Sequence, residues 1–203
     1  MTALMGFACA PPQKAVAPAL QDGDIVFQCT NGPQCEAIAQ ATRSPYTHCG
    51  IVFLQDGKPF VWEAVGPVRK VPYPEWVRHG VKGHVVVKRL RDTALLDQAR
   101  VEAMKAEGER EMGRPYDIYF DMDDERIYCS ELVQKVYERG AGLHIGAVER
   151  FRDMDLTGEA ARHILDARFG TAIPADREVV TPAALFRSPL LLTVDSVGSP
   201  TFR

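Results

Sequence analysis

The sequence contains no apolar run long enough to cross a membrane and no concentration of basic residues. A membrane-spanning helix needs about 18 consecutive apolar residues, and no stretch of this chain approaches that length. Lys and Arg number 24 against 27 Asp and Glu, which gives a net charge of −3, and they form no long run. The sequence therefore predicts no membrane span and argues against nucleic acid as a partner.

Cysteines are few, and none of the five belongs to a Cys-x-x-Cys pair. Cys29, Cys35, His48 and Cys49 offer soft ligands, but their spacing fits no common zinc motif. We therefore expect no metal ion and no cofactor. Cys29 and Cys35 are close enough in sequence to form a local disulfide in an oxidising compartment, whereas two free thiols fit a cytosolic protein equally well.

The first 20 residues are rich in Ala and Pro and differ from the rest of the chain. Ala8, Cys9 and Ala10 precede two prolines, as at a signal cleavage site, but the segment lacks a basic start and its apolar run is short. We interpret residues 1–20 as a leader or partial signal segment and residues 21–203 as one domain. An exported, periplasmic protein and a cytoplasmic one are both consistent with this segment.

The remainder of the chain mixes strand and helix patterns in an order typical of an α+β fold. Short β-branched and aromatic runs predict strands over residues 23–29, 51–53, 60–62 and 84–90. Composition and apolar spacing predict helices beginning near Pro33, over residues 93–112 and over residues 127–140, where Gly140 is the expected stop. Asp56 and Gly57 indicate the turn of a hairpin. We therefore expect an α+β fold with a mostly antiparallel sheet.

Cys129 begins a predicted helix and shares its apolar stripe. Leu132 and Val133 follow it by three and four residues, so all three side chains lie on one helix face. A cysteine in the first turn lies where free N–H groups and the helix dipole stabilise a thiolate, and the same groups can hold an oxyanion. The alternative is a packing role, because unpaired cysteine is frequently part of a core.

A thiolate nucleophile needs a histidine, and His48 lies at the start of the first strand of the hairpin. If Asp56 and Gly57 form the turn, His48 lies opposite Val65 and diagonal to Glu63, on the same face of the sheet. A register slip of one residue would separate the two side chains. The hairpin therefore predicts a pair in which the carboxylate of Glu63 orients the imidazole of His48.

Four motifs together resemble a known family of enzymes. They are "SPYTHCGIVF", "WEAVGPV", "GRPYD" and "YCSELV". They resemble the permuted papain-like cysteine hydrolases of the NlpC-type superfamily, in the bacterial, YiiX-like branch that is described as lipid-binding. In permuted members the histidine and a third polar residue precede the cysteine, as they do here. The resemblance covers about residues 21–190 and implies a circularly permuted papain-like fold, with an antiparallel sheet or half-barrel packed against helices that carry the nucleophile.

The resemblance also implies the role of each site residue. Cys129 is expected to be the nucleophile, His48 the base, Glu63 the group that orients it, and Tyr116 of "GRPYD" an oxyanion donor. Cys49 departs from the small or hydroxyl residue expected after the histidine, and alternation along the strand directs it to the core. The implied activity is amide hydrolysis through a thioester, on a small amide, a peptide or an acyl lipid of the cell envelope. A non-catalytic lipid- or ligand-binding protein on the same fold is the alternative.

Overall fold

The computed structural model describes residues 19–198, and a six-stranded antiparallel sheet lies at its centre. The predicted leader falls almost entirely outside these residues. The strands are β1 (Ile25–Gln28), β2 (His48–Gln55), β3 (Lys58–Ala64), β4 (Val68–Pro72), β5 (Val85–Leu90), β6 (Glu149–Arg150), β7 (Glu178–Val179) and β8 (Leu191–Val197). The main sheet has the order β4-β3-β2-β1-β5-β8, and β6 pairs with β7 in a small second sheet.

Helices pack against this sheet, so the α+β prediction is confirmed. They are α1 (Pro33–Thr42), α2 (Tyr73–His79), α3 (Gln98–Glu111), α4 (Cys129–Ala141), α5 (Glu159–Phe169) and α6 (Pro182–Phe186). Helix α4 contacts both β2 and α3, and α5 contacts α1. Within residues 19–198, no helix has the length and apolar character that a bilayer span requires.

The two faces of the sheet contribute to separate apolar clusters. Alternation along β2 sends Ile51 and Phe53 into the larger cluster, which α4 covers with Leu132. Val52, between them, points to the smaller cluster, where it meets Trp76 of α2. The stripe of α4 therefore buries its apolar surface against the sheet, and this burial places the first residue of the helix at the edge of the core.

The register of the central hairpin agrees with the prediction. Val52 of β2 pairs with Val61 of β3. Asp56 and Gly57 form the turn with φ angles of 51° and 73°, the left-handed backbone that a two-residue hairpin loop requires. The register places His48 and Glu63 on the same face of the sheet.

Two predicted helix boundaries were wrong. The run over residues 93–112 begins with a short 3-10 helix (Thr93–Leu95) and becomes an α-helix only at Gln98, because the carboxylate of Asp97 accepts a hydrogen bond from the N–H of Arg100 at 2.8 Å and caps that helix. Gly140 does not end α4, which continues to Ala141. A Cβ atom on Gly140 would lie 2.5 Å from the Cα of Met104. This glycine therefore allows α3 and α4 to approach closely.

Candidate active site

His48 and Glu63 form the hydrogen bond that the hairpin predicts. Nε2 of His48 lies 2.6 Å from Oε2 of Glu63. The carboxylate, of which 1% is exposed, also accepts from Nε1 of Trp76 at 2.8 Å and from Nε of Arg69 at 3.0 Å. Trp76 comes from α2 and Arg69 from β4, so two further elements hold Glu63 in place. Because Nε2 of the imidazole is engaged, Nδ1 is the ring nitrogen left for a thiol.

The charges of this pair follow from its surroundings. Burial favours a neutral Glu63, but the hydrogen bonds and charges of His48 and Arg69 outweigh burial and lower the pKa of the carboxyl group. Burial likewise favours a neutral His48, but its bonds to Cys129 and Glu63 raise the pKa of the imidazole to about 10. His48 is therefore an imidazolium at neutral pH, and Glu63 is a carboxylate.

Cys129 is the first residue of α4, and its two neighbours anchor it. The hydroxyl of Tyr128 accepts from the N–H of Val180 at 3.1 Å, and the hydroxyl of Ser130 donates to the carbonyl of Val180 at 2.8 Å. The segment that follows β7 thus clamps the backbone on both sides of the sulfur. Cys129 is only 2% exposed, and the residue is part of the lining of an open pocket.

The thiol of Cys129 is more acidic than an ordinary cysteine. A hydrogen bond with Cys49 contributes most to lowering its pKa, burial opposes this, and the bond to His48 and its charge lower the pKa further. Cys49 is fully buried in the same apolar cluster, as expected from strand alternation. No sequence pattern indicates that its thiol also interacts with Cys129. At neutral pH the arrangement favours a thiolate–imidazolium pair.

Tyr116 lies beside the start of α4 because two short segments pair there. Tyr116 and Ile127 form an isolated parallel bridge. The N–H of Asp117 donates to the carbonyl of Ile127 at 3.2 Å, and the N–H of Ile127 donates to the carbonyl of Pro115 at 3.1 Å. These bonds hold "GRPYD" against the residues that enter α4. Tyr116 and Cys129 consequently line the same pocket.

Two residues that the sequence did not single out control the hydroxyl of Tyr116. Arg168 donates a hydrogen bond to Oε1 of Gln34, and Nε2 of Gln34 donates to the hydroxyl of Tyr116 at 3.1 Å. Because arginine can only donate, it fixes which end of the Gln34 amide faces Tyr116. The hydroxyl therefore accepts from Gln34 and keeps its own hydrogen free. Burial, followed by the charge of Cys129, raises the pKa of Tyr116, so this hydroxyl stays a donor.

Cys29 and Cys35 are free thiols in the structure, so the disulfide considered for an oxidising compartment is absent from it. The sulfur of Cys35 lies 2.8 Å from the hydroxyl of Thr30. Burial, with a smaller effect of Cys35, raises the pKa of Cys29. The thiol of Cys29 is therefore less acidic than that of Cys129.

Comparison with known proteins gives a consistent result. A family model described as permuted papain-like amidase enzyme, YaeF/YiiX, C92 family, matches residues 19–195. The uncharacterised protein YiiX of Escherichia coli (strain K12) is 40% identical over 174 residues, which cover 86% of this chain and 85% of YiiX. A crystal structure described as metalloprotein yiiX from Escherichia coli O157:H7 matches with a TM-score of 0.83 and 38% identity, over 87% of this chain and 97% of that chain.

The word metalloprotein in that description raises the question of a metal site in this chain. Among residues 19–198, no group of three or more His, Cys, Asp and Glu side chains is placed to hold a metal ion. His48 is bonded to Glu63, and Cys49 interacts with Cys129. The His, Cys, Asp and Glu side chains of residues 19–198 therefore do not fit a metal ion.

The fold and the motif order agree with these comparisons. The six-stranded antiparallel sheet with its covering helices matches the solved relative, and the histidine strand precedes the cysteine helix, as in permuted papain-like proteins. The family match extends over nearly all of the residues that the structure describes. This chain belongs to the YaeF/YiiX family of permuted papain-like amidases.

Proposed function

We propose that the protein is a cysteine-dependent amidase that forms a thioester at Cys129. The observation that carries this proposal is the 2.6 Å bond between His48 and Glu63, together with a thiol of lowered pKa at the start of α4. A carboxylate on one ring nitrogen and a thiolate beside the other is the arrangement that nucleophilic catalysis by cysteine requires.

In the first half of the reaction, the thiolate of Cys129 attacks the carbonyl carbon of the amide. The carbonyl oxygen becomes an oxyanion, which the free N–H groups in the first turn of α4 and the hydroxyl of Tyr116 stabilise. The imidazolium of His48 gives its proton to the amide nitrogen, the C–N bond breaks and the amine leaves. Cys129 is then a thioester and His48 is neutral.

In the second half, neutral His48 takes a proton from water, and the resulting hydroxide attacks the thioester carbonyl. The C–S bond breaks, the carboxylic acid leaves, and the thiolate of Cys129 and the imidazolium of His48 are restored. Glu63 holds the ring orientation throughout and stabilises the imidazolium. The substrate classes consistent with this chemistry are peptides, amino-acid amides and acyl lipids, including those of the cell envelope.

A panel of amide and ester substrates tests this proposal. Cys129→Ala and His48→Ala should each remove nearly all turnover, and the double variant should lose little more, because nucleophile and base act as a unit. Cys29→Ala, which changes a cysteine with a raised pKa, is the matched control and should retain activity. Turnover that survives in Cys129→Ala would end the cysteine mechanism.

A non-catalytic lipid- or ligand-binding protein is the second candidate, because the pocket beside Cys129 is lined almost entirely by apolar surface. Alkylation by iodoacetamide at pH 6 separates the two functions. An amidase needs a thiolate and should be labelled rapidly at Cys129, whereas a binding protein has no need for a reactive thiol. Slow labelling at the rate of a free cysteine would favour the binding protein.

A further inference from the structure

The thiols of Cys49 and Cys129 are in contact, although the two residues are far apart in the chain. Cys49 lies on β2 opposite Phe27 of β1, and its side chain points to the face of the sheet that α4 covers. Cys129 is the first residue of α4. The two side chains share a hydrogen bond, and the backbone N–H of Cys49 donates another to the sulfur of Cys129. Packing of the helix on the strand therefore holds two sulfur atoms together.

The second sulfur at this position is not explained by amide hydrolysis. Cys49 takes no part in the proposed catalytic steps, and the family resemblance predicts a small or hydroxyl residue after the histidine. A hydroxyl in its place would also donate a hydrogen bond to the thiolate of Cys129. The hydrogen bond alone therefore does not require sulfur, whereas a disulfide bond does.

No disulfide bond joins the two sulfurs in the structure, where both residues are free thiols. A disulfide bond requires an S–S distance of about 2.05 Å. Sulfur atoms that already share a hydrogen bond need only a small movement of their side chains to reach that distance. The position of α4 on β2 thus allows the bond to form without a change of fold.

The two thiols differ in exposure and in acidity. Cys129 is part of the lining of an open pocket, whereas Cys49 is fully buried. The hydrogen bonds of Cys49 and His48 lower the pKa of Cys129, and burial raises the pKa of Cys49. Because the thiolate is the form that peroxides oxidise, an oxidant from solvent reacts at Cys129 first and leaves Cys49 as the second thiol.

We propose that Cys49 and Cys129 are a reversible redox pair, in which a hydroperoxide oxidises Cys129 and Cys49 then forms a disulfide bond with it. The bond withdraws the nucleophile from catalysis until a dithiol reduces it. The effect on activity rests on the proposed cysteine mechanism, whereas formation of the bond does not.

The reaction takes place in two steps. The thiolate of Cys129 attacks one oxygen of hydrogen peroxide, an S–O bond forms and the O–O bond breaks. The hydroxide that leaves takes the proton of the His48 imidazolium and becomes water, and Cys129 is now a sulfenic acid that has given two electrons to the peroxide. The sulfur of Cys49 then attacks the sulfenic sulfur. The S–S bond forms, the S–O bond breaks, and the departing hydroxide leaves as water with the thiol proton of Cys49.

Cys49 also protects the nucleophile. A sulfenic acid that meets no thiol is oxidised further to a sulfinic acid, which dithiols do not reduce. A neighbouring thiol competes with that second oxidation because it is already in contact with the sulfur. The pair therefore converts a permanent loss of Cys129 into a reversible one.

Peptide mapping of the full chain is the first test, since it needs neither a substrate nor a variant. The protein is treated with hydrogen peroxide, its remaining thiols are blocked with N-ethylmaleimide, and it is digested with trypsin without reduction. Cleavage after Lys and Arg, except before Pro, separates the cysteines of the described residues into three peptides, 15–43 (Cys29 and Cys35), 44–69 (Cys49) and 127–135 (Cys129).

Peptides 44–69 and 127–135 should be joined, with a mass about 2 Da below the sum of the two. Cys129 recovered only as a sulfinic or sulfonic acid would overturn the redox pair. A disulfide bond confined to peptide 15–43 would also overturn it, because the oxidised thiols would then be Cys29 and Cys35.

The second test asks whether oxidation is reversible. After peroxide and then dithiothreitol, labelling of Cys129 by iodoacetamide should return to at least about 80% in the unmodified protein and to less than about 20% in Cys49→Ala. Cys29→Ala is the matched control, because it removes a different thiol, and it should recover as the unmodified protein does. Equal recovery in Cys49→Ala and the unmodified protein would refute a role for Cys49.

These measurements separate the redox pair from the amidase proposal, because neither depends on turnover. A joined peptide pair in a protein that hydrolyses no amide would support the redox pair and count against the amidase. An active amidase in which peroxide joins no peptides would refute the redox pair and leave the cysteine mechanism intact.

Discussion

The substitution Gln34→Glu should reverse the hydrogen bond that holds the Tyr116 hydroxyl while keeping the size of the side chain. In the structure Nε2 of Gln34 donates to this hydroxyl at 3.1 Å, and Arg168 donates to the other end of the amide. A carboxylate still accepts from Arg168 but presents a second acceptor to Tyr116. The tyrosine must then donate its only proton to the carboxylate, and under the proposed mechanism that proton is no longer available to the oxyanion.

The expected magnitude is that of removing one oxyanion donor. Such a loss lowers kcat by about 10²–10³, or about 3–4 kcal/mol of transition-state stabilisation. Tyr116→Phe removes the same proton and should lower kcat by about 10 to 10³. Because the two substitutions remove one interaction, the double variant should be no less active than Tyr116→Phe alone.

Steady-state kinetics on one amide substrate test this reasoning, with thermal unfolding as a check on folding. Gln34→Met has a similar size and leaves the hydroxyl of Tyr116 without a competing acceptor, so it should lose less kcat than Gln34→Glu. The reasoning is refuted if Gln34→Glu retains the kcat of the unmodified protein. It is also refuted if adding Gln34→Glu to Tyr116→Phe lowers kcat by a further factor of about ten.

Three further predictions concern pH, acidity and packing. The imidazole of His48 is protonated below its pKa of about 10, so kcat/KM should fall as the pH rises through about 10. Because the carboxylate of Glu63 raises this pKa, Glu63→Gln should move the fall in kcat/KM to lower pH. A fall at the same pH in both proteins would show that Glu63 does not set the pKa of His48. Cys49→Ala should raise the pKa of the thiol at Cys129, seen as a shift of the iodoacetamide rate profile to higher pH; an unshifted profile would contradict the contact between the two cysteines. Gly140→Ala should lower stability by about 1–3 kcal/mol, measured by urea unfolding, because its Cβ would collide with the backbone of α3; an unchanged midpoint would exclude that close approach.

Local sequence rules are sufficient to predict the contact between His48 and Glu63. The turn at Asp56 and Gly57 sets the pairing of β2 with β3, and the two-residue period of a strand then decides which side chains share a face. The helix that begins near Cys129 is equally predictable from the sequence, because its apolar residues repeat with helical spacing. These features depend on residues that are close together in the chain.

The surroundings of the site were not predictable from such rules. Gln34 and Arg168 are 134 positions apart in the chain, and Gln34 and Tyr116 are 82 apart, so no local pattern connects them. Trp76 reaches Glu63 from a separate helix. Glycine commonly ends a helix, and on that ground the sequence predicts a helix end at Gly140, whereas the structure requires glycine there because α3 approaches closely. Tertiary packing decided each of these cases.

The clamp on α4 has a consequence for the order in which the protein folds. Tyr128 and Ser130 are held by Val180, about fifty positions later in the chain. During synthesis the ribosome must therefore release the segment after β7 before the backbone beside Cys129 has its final partners. In a growing chain that has already formed the His48 hairpin and α4, the backbone on both sides of Cys129 still lacks these two hydrogen bonds to Val180. The backbone on both sides of Cys129 therefore reaches its final contacts only after the segment that follows β7 has been synthesised.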